Sequence, residues 1–364
     1  MKKIKVLLVG MSNNIGGIET YLYNLIKYSN KDKIQFDLLC VGDDKIAFED
    51  DIKKMGCIIY KIIPRFKNYF KHIQQIRKIY SKGYDYIHLN IMTFSWFEPI
   101  ILAAKSKSNV IIHSHSASFG NNLSLKTKLL NNVGKSICRR VKSYKVACGD
   151  EAGKFMFEGD SYVVFNNGVD IDKFKYDEKN RKRIREEYLI KENDIVMGLV
   201  ARMEIQKNPI FLVEIFNKIL CLNPNYKLMI VGEGKLIRDV NKKIEEYNIE
   251  NKVLLLGQRS NVNEILSAFD VYVMPSLYEG LSISLIEAQV NGLKCYTSDG
   301  VDKKSNITGN VKFLSLDNGA EFWARKILQD NKERDFQVID KIPDNFNAQK
   351  SYEEVYKFYI SNCN

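Results

Sequence analysis

Short apolar runs rich in Val, Ile and Leu recur along the whole chain and alternate with longer stretches of helical period. In the first half they are Ile4–Val9, Phe36–Cys40, Cys57–Ile62, Tyr86–Leu89, Val110–His113, Lys145–Ala147 and Tyr162–Phe165. In the second half they are Ile195–Val200, Tyr226–Val231, Val253–Leu256, Val271–Met274, Leu293–Thr297 and Val311–Phe313. Runs this short and this continuously apolar predict strands buried on both faces, and their alternation with helices predicts α/β units with parallel sheets. Asp177 to Tyr188, dense in Lys, Arg and Glu, reads as the opening helix of the second half, after a linker near Asp170–Phe174. A chain of 364 residues is too long for one ordinary core. Two similar α/β domains with a cleft between them is the simplest arrangement.

Composition narrows the class. With 45% apolar and 27% charged residues the chain is ordinary globular material. No apolar run approaches the roughly 18 residues that a membrane-spanning helix needs. The N-terminus is basic and then apolar, but only from Val6 to Val9 before a polar, glycine-bearing loop, so it reads as a first strand and not as a signal peptide. Seven scattered cysteines (Cys40, Cys57, Cys138, Cys148, Cys221, Cys295, Cys363) form no C-x-x-C pair. That pattern fits reduced thiols in a cytoplasmic protein and argues against zinc.

The net charge of +11 is unevenly placed: residues 1–170 hold 26 Lys and Arg against 15 Asp and Glu, and residues 171–364 hold 29 against 29. Within the first half, Lys126, Lys128, Lys135, Arg139, Arg140, Lys142 and Lys145 interleave with Leu129, Leu130, Val133, Ile137 and Val141. A second cluster runs from Lys61 to Lys82 with Phe66, Tyr69, Phe70 and Tyr80 among the bases. Both segments suit an anionic membrane surface, and both equally suit a solvated face of a Lys-rich protein. No nucleic-acid motif accompanies the charge, so nucleic acid is not expected as a partner.

The most informative stretch is PSLYEGLSISLIEAQVNG, Pro275 to Gly292, in which Glu279 and Glu287 are separated by seven residues. It follows a strand-like run and precedes a helix read from Leu285 to Val290, so Glu279 sits at a strand end and Glu287 in the next helix's first turns. In an open parallel sheet that is where ligands bind, and acceptors beside a helix N-terminus suit a ligand carrying both hydroxyls and phosphate. On this stretch alone a second reading stands beside it: Ser284-Leu285-Ile286-Glu287 is a capping box, with Glu287 closing its own helix.

Other strand ends add candidates. The loop Gly10 to Thr20 carries adjacent glycines, Gly16 and Gly17, which let a backbone approach a ligand closely or simply turn. It is not a dinucleotide fingerprint. Arg202 and Lys207 leave another strand end, where a guanidinium fork and a point charge suit a diphosphate. Val231-Gly232-Glu233-Gly234 places small residues at a further strand end, and His113 and His115 close another. Each histidine is read either as a pocket-lining group or as a satisfied structural one, and no nearby carboxylate or cysteine completes a zinc site. Asp170 and Asp172 resemble a metal-binding pair but lie in a turn-forming run, so a metal there is not favoured.

Together these residues resemble the retaining glycosyltransferases of family 4, which have the GT-B fold, and within them the bacterial enzymes of capsule and exopolysaccharide assembly. The likeness rests on Gly16–Glu19 (GGIE), His115, Asn167-Gly168-Val169-Asp170 with Phe174, Arg202 with Lys207, Val231–Gly234 (VGEG), and the glutamate pair within PSLYEGLSISLIEA. The resemblance implies two Rossmann-like parallel-sheet domains facing a central cleft: residues 1–172 for the acceptor, residues 173–345 for the nucleotide sugar, and residues 346–364 as a helix crossing back to the first. It implies that Arg202 and Lys207 hold the donor diphosphate, Glu287 the ribose hydroxyls and Glu279 the hydroxyls of the transferred sugar. Amides of Gly280, Leu281 and Ser282 would face the distal phosphate and the sugar, His115 the sugar from the other domain, and Gly16 and Gly17 the diphosphate. The base would lie near Leu256, Gly257, Gln258 and Arg259. No metal or other cofactor is implied, and the partners are a nucleotide sugar and a glycan or polyprenyl-diphosphate-linked acceptor at the inner face of the cell membrane.

Two departures from the family pattern stand out. Lys207-Asn208 replaces the usual Lys-Gly, and Ser282 and Ser284 occupy a segment that is more often apolar. A sugar-nucleotide epimerase of similar shape would need further acid/base carboxylates that the sequence does not identify. A non-catalytic nucleotide-sugar-binding subunit would be expected to have broken motifs, and here they are intact.

Overall fold

The computed structural model describes residues 3–14, 16–116, 125–330 and 333–362. The chain divides into two compact units, Met1–Gly168 with Asp344–Asn364, and Val169–Pro343. The first contains β1 (Ile4–Val9), β2 (Ile34–Val41), β3 (Ile59–Ile62), β4 (Tyr86–Ile91), β5 (Asn109–Ser114), β6 (Tyr144–Ala147) and β7 (Val163–Val164). The second contains β8 (Ile195–Val200), β9 (Tyr226–Val231), β10 (Val253–Leu255), β11 (Val271–Met274), β12 (Lys294–Ser298) and β13 (Val311–Leu314). Every one of the apolar runs read from the sequence is a strand, with ends displaced by at most two residues.

The first sheet has the order β3-β2-β1-β4-β5-β6-β7 and the second β10-β9-β8-β11-β12-β13. All neighbouring strands pair in parallel, as in the registers Val6↔Phe36 and Val6↔Tyr86. Because a strand's side chains alternate between faces, β1 serves two cores at once. Val6 and Leu8 join one with Leu22, Leu25, Leu38 and Tyr352, while Leu7 and Val9 join the other with Ile76, Ile87, Leu89 and Ile112. The helix Ala348–Ser361 completes the first of these cores with Ala348, Tyr352, Val355 and Tyr359, spaced to share one helical face. Asn347 caps it, its side chain accepting from the Gln349 and Lys350 amides.

The second unit is pinned by Asp270, at the entry to β11. Its carboxylate accepts from Arg181 Nη2 at 2.6 Å, Arg185 Nη1 at 3.3 Å and the Val196 amide at 2.7 Å. The charged helix Glu178–Glu187 is thereby fastened to β8 and β11, and the side chain of Arg185 is only 8% exposed. The linker expected at 170–174 is instead structured. Ile171–Phe174 is a short helix capped by Asp170, whose side chain accepts from the Lys173 amide; Phe174 is buried, and its carbonyl accepts from Asn291 Nδ2 at 2.7 Å. Asp170 therefore has a capping role, and Asp172 pairs with Lys175 at 3.0 Å.

Removing Asp270 strands a buried guanidinium, so Asp270→Ala should lower the unfolding free energy by about 3 kcal/mol in urea denaturation. Asp172→Ala, which removes an exposed pair, should leave the urea midpoint where it was.

Candidate functional site

In the second sheet the chain proceeds from β8 outward to β9 and β10, then returns to the other side of β8 as β11. Strand order reverses between β8 and β11, which opens a crevice at their C-terminal ends. The loops that meet there are stitched by backbone hydrogen bonds. Met203 N donates to Glu233 O at 2.9 Å, Gly232 N to Gly257 O at 2.8 Å, and Leu277 N to Gln206 O at 2.7 Å. Gly232 has φ +128, and a Cβ there would lie 2.0 Å from Ala201 O, so no other residue fits this crossing.

Lys207 and Glu279 form an ion pair across the switch point, each side chain only 15% exposed. Gln206 Nε2 supports the same loop, donating to Tyr278 O at 3.1 Å and to Glu279 Oε1 at 3.3 Å. Glu279 also enters a bridge with Val301, its amide donating to Gly300 O and its carbonyl accepting from the Asp302 amide. Lys207 thus arrives at the site already paired. Arg202, two residues past β8, is exposed; its carbonyl accepts from the Glu204 amide at 2.8 Å, and its side chain has no ion-pair or hydrogen-bond partner among the described residues. The departure at Asn208 has a conformational reason: φ 52 and ψ 48 place it in the left-handed region, which Asn tolerates best after Gly.

The helix after β11 begins two residues earlier than its sequence suggested, spanning Ile283–Val290 with Ser282 as N-cap and no side-chain capping bond. The capping box Ser284–Glu287 is therefore not formed. Ser284 Oγ accepts from Tyr272 OH at 3.1 Å and Ser282 Oγ lies 3.4 Å from Met274 Sδ, so both hydroxyls face the unit's own interior. The amides of Gly280, Leu281 and Ser282 have no acceptor among the described residues, while Gly280 O accepts from Ser305 at 3.2 Å. The carboxyl of Glu287, a part-buried residue, has no hydrogen-bond partner among those residues, and burial pushes it up to about 8 against the lowering effect of Lys173. Gly257 takes φ +66 beside the Glu233 carboxylate, Gln258 is exposed, and Arg259 donates to Tyr188 OH at 3.1 Å.

The first sheet has its own switch point, between β1 and β4. Gly10 crosses there with φ +119, where a Cβ would meet Asn90 O at 2.3 Å. The loop beyond it is held by Glu19, whose Oε1 accepts from Ser12 Oγ at 2.6 Å and from the Ser12 amide at 3.2 Å. Gly16 caps the helix Gly17–Tyr28 without a side-chain bond, and the space beside the Gly17 Cα is open. The GGIE glutamate, which the sequence left without a role, is the loop's anchor.

His115 follows β5, and its tautomer is fixed by Asn90. Asn90 Nδ2 donates to Val9 O at 3.2 Å and to His88 O at 3.3 Å, which turns Oδ1 toward His115 Nε2 at 2.9 Å. His115 therefore carries its proton on Nε2, and its Nδ1 is an acceptor, buried and without a partner among the described residues. His113 is fully buried, its Nδ1 lying 3.2 Å from His88 Nε2, and His88 Nδ1 lies 2.5 Å from Tyr359 OH. Burial pushes His88 and His115 down to about 3 and His113 well below its usual value, with neighbouring histidine charges adding to the shift at His88 and His113. His88, Asn90 and Gln206 were missed in the sequence. The first two are polar residues inside a fully buried strand, a signal that could have marked them.

Residues 15–173 match the model described as Glycosyltransferase Family 4, and residues 180–334 match Glycosyl transferases group 1. The chain belongs to glycosyltransferase family 4. The transferase is 29% identical to EpsF of Bacillus subtilis over 338 residues, covering 90% of this chain and 87% of that one. It is 32% identical over 214 residues to the UDP-Gal:alpha-D-GlcNAc-diphosphoundecaprenol alpha-1,3-galactosyltransferase of Escherichia coli, covering 54% of this chain and 53% of the other. CapH, a capsular polysaccharide biosynthesis glycosyltransferase of Staphylococcus aureus, is 24% identical over 295 residues, 78% of each chain. Among solved structures, HepE of Anabaena in complex with UDP and glucose superposes with a TM-score of 0.77 at 16% identity, covering 99% of this chain and 100% of that one. The fold of the transferase is GT-B, with two Rossmann-like parallel-sheet units.

Two pH dependences of opposite sign follow for the transferase. Between Glu287's ordinary value of 4.5 and about 8, the folded state holds a proton that the unfolded chain has released, so this residue's contribution to stability declines as pH rises. Glu287→Gln should match the parent near pH 4 and exceed it by roughly 1–3 kcal/mol at pH 8 in urea titrations at the two pH values. The buried histidines bind fewer protons folded than unfolded, so their contribution is full above 6.5 and is lost as pH falls toward 3. His88→Asn should flatten the acid side of the stability curve between those values, read by thermal melts across the range.

Proposed function

We propose that the protein is a retaining, metal-independent glycosyltransferase of bacterial surface polysaccharide synthesis. It moves a sugar from a nucleotide-diphosphate sugar to a glycan or polyprenyl-diphosphate-linked acceptor on the cytoplasmic side of the membrane. The observation that carries this reading is the cluster at the β8/β11 switch point: unpaired Arg202, the Lys207–Glu279 pair, the open amides of residues 280–282 and the unpartnered Glu287. The E. coli relative's name pairs a UDP-sugar donor with an alpha product linkage and a diphosphoundecaprenol acceptor, which supports both retention and the acceptor class.

The chemistry follows from where charge develops. As the bond from the anomeric carbon to the phosphate oxygen breaks, positive charge grows on the sugar and negative charge on the diphosphate. Arg202 and the helix N-terminus at Ser282 meet that negative charge with fixed positive potential, favouring the transition state over bound substrate. These groups do the work a divalent metal would otherwise do. The acceptor oxygen attacks from the face the diphosphate leaves, and a phosphate oxygen takes its proton. Glu279 acts as a hydroxyl acceptor and not as a covalent nucleophile, because Lys207 and Gln206 hold both its oxygens. Glu287 takes the ribose hydroxyls. The assignment of His115 to the donor sugar, of Gly16 and Gly17 to the diphosphate and of Gly257 and Gln258 to the base rests on the family resemblance.

The test is incubation with labelled nucleotide sugars and a polyprenyl-diphosphate-linked sugar acceptor in the presence of EDTA. Transfer that survives EDTA, with the donor's anomeric configuration kept in the product, is expected. Loss of transfer on chelation overturns the metal-free reading, isomerisation of the sugar without acceptor favours an epimerase, and binding without turnover favours a non-catalytic subunit. Arg202→Ala should lower kcat about 100- to 1,000-fold with little change in donor KM.

A further inference from the structure

We propose that the first unit docks on an anionic lipid surface through an aromatic pair, Phe66 and Phe70, set among unpaired lysines. Both rings are 85% exposed, and Tyr69 between them is 49% exposed. They lie on the loop after β3 and in the first turn of the helix Tyr69–Tyr80. The loop after β4 comes against this segment, and a helix past β5 comes against that loop. Arg65 Nη1 donates to Ser95 O at 3.1 Å, and the Phe94 amide donates to Asn131 Oδ1 at 2.8 Å on the helix Leu125–Arg140. A Cβ at Gly134 would lie 2.1 Å from Phe94 O, so that helix is seated directly on the β4 loop. Met92, just past β4, is 59% exposed, and Leu129, on that helix, is 67% exposed.

The charge around this surface has one sign. Residues 61–82 contain seven Lys and Arg and residues 99–149 contain nine, with no Asp or Glu in either stretch. Some of these cations are spent within the fold: Lys61 on Glu49 at 3.0 Å, Arg65 on Glu98 at 3.5 Å, Lys135 on Glu158 at 2.6 Å and Lys145 on Asp160 at 2.7 Å. The later part of the 126–145 cluster is thus largely structural, with Leu130, Ile137 and Val141 part-buried. Lys67, Lys71, Lys126 and Lys128 remain exposed without ion-pair partners among the described residues. Rings that enter a headgroup region and cations that stay at its anionic surface are the two signals of stable peripheral binding. A solvated basic face accounts for the lysines and leaves two neighbouring phenylalanines in water unexplained.

The test is co-sedimentation of the whole protein with phosphatidylcholine vesicles, with and without phosphatidylglycerol, in the absence of nucleotide and acceptor. Its outcome is thereby independent of the transferase reading. Binding is expected only to the phosphatidylglycerol vesicles and should weaken as salt rises. Phe66→Ser with Phe70→Ser should reduce partitioning about tenfold or more. Lys67→Gln with Lys71→Gln should reduce it severalfold, with circular-dichroism melts unchanged for both pairs. Equal binding to neutral vesicles, no binding to either, or binding unchanged by both pairs of substitutions overturns the proposal, as does a self-association in solution that the phenylalanine pair abolishes.

Discussion

Every neighbouring pair of strands in both sheets is parallel, and the placement of the functional residues depends on that constraint. Parallel strands leave a sheet at one edge, so each unit gathers its strand-end loops along a single rim. Parallel strands also need helices on both faces, which is why β1 divides its residues between two cores. The order of the strands does the rest. Where the chain reverses direction across the sheet, between β8 and β11 and between β1 and β4, no crossover helix fills the space above the strand ends. Lys207 and Glu279 meet at one such point, Gly10 and Asn90 at the other.

At the second unit's switch point the charges are divided between tasks. Lys207 is consumed in holding Glu279, and Gln206 steadies the same carboxylate from the loop before it. Both oxygens of that carboxylate are thus taken by donors of its own unit. The side chain of Arg202 is left without an ion-pair partner among the described residues, and a free guanidinium is a better anion receptor than one already neutralised. The loop that delivers both cations turns through Asn208 in the left-handed region and then enters a helix at Pro209, so its conformation is set by local sequence and not by the ion pair.

Much of this was legible from sequence because the strands are buried on both faces and read as uninterrupted apolar runs. What was misread came from patterns that fit two structures. Ser284 to Glu287 has the spacing of a capping box, yet the helix begins at Ile283 because Tyr272, buried in β11, takes the Ser284 hydroxyl. Asp170 to Phe174 is polar enough to resemble a linker, yet Asp170 caps a helical turn that Phe174 anchors in the core. The Lys207–Glu279 pair was beyond reach for a different reason. Its partners are 72 positions apart, and only strand order, which periodicity does not encode, brings them together. His88 and Asn90 were hidden inside a strand read only for its apolar content.

The two units also hold their buried polar groups differently. The histidines of the first are kept neutral by burial, and Asn90 spends both its amide protons on carbonyls so that one tautomer of His115 is imposed. Among the described residues His113 Nε2 and His115 Nδ1 find no partner, nor does the buried hydroxyl of Tyr21, whose ring packs against both imidazoles. Glu287 in the second unit is the opposite case: a carboxyl desolvated with no hydrogen-bond partner, its acidity weakened accordingly. Desolvation without a compensating hydrogen bond disfavours the charged form in both units, but it removes a proton from the histidines and keeps one on Glu287. Falling pH therefore weakens the first unit where rising pH weakens the second.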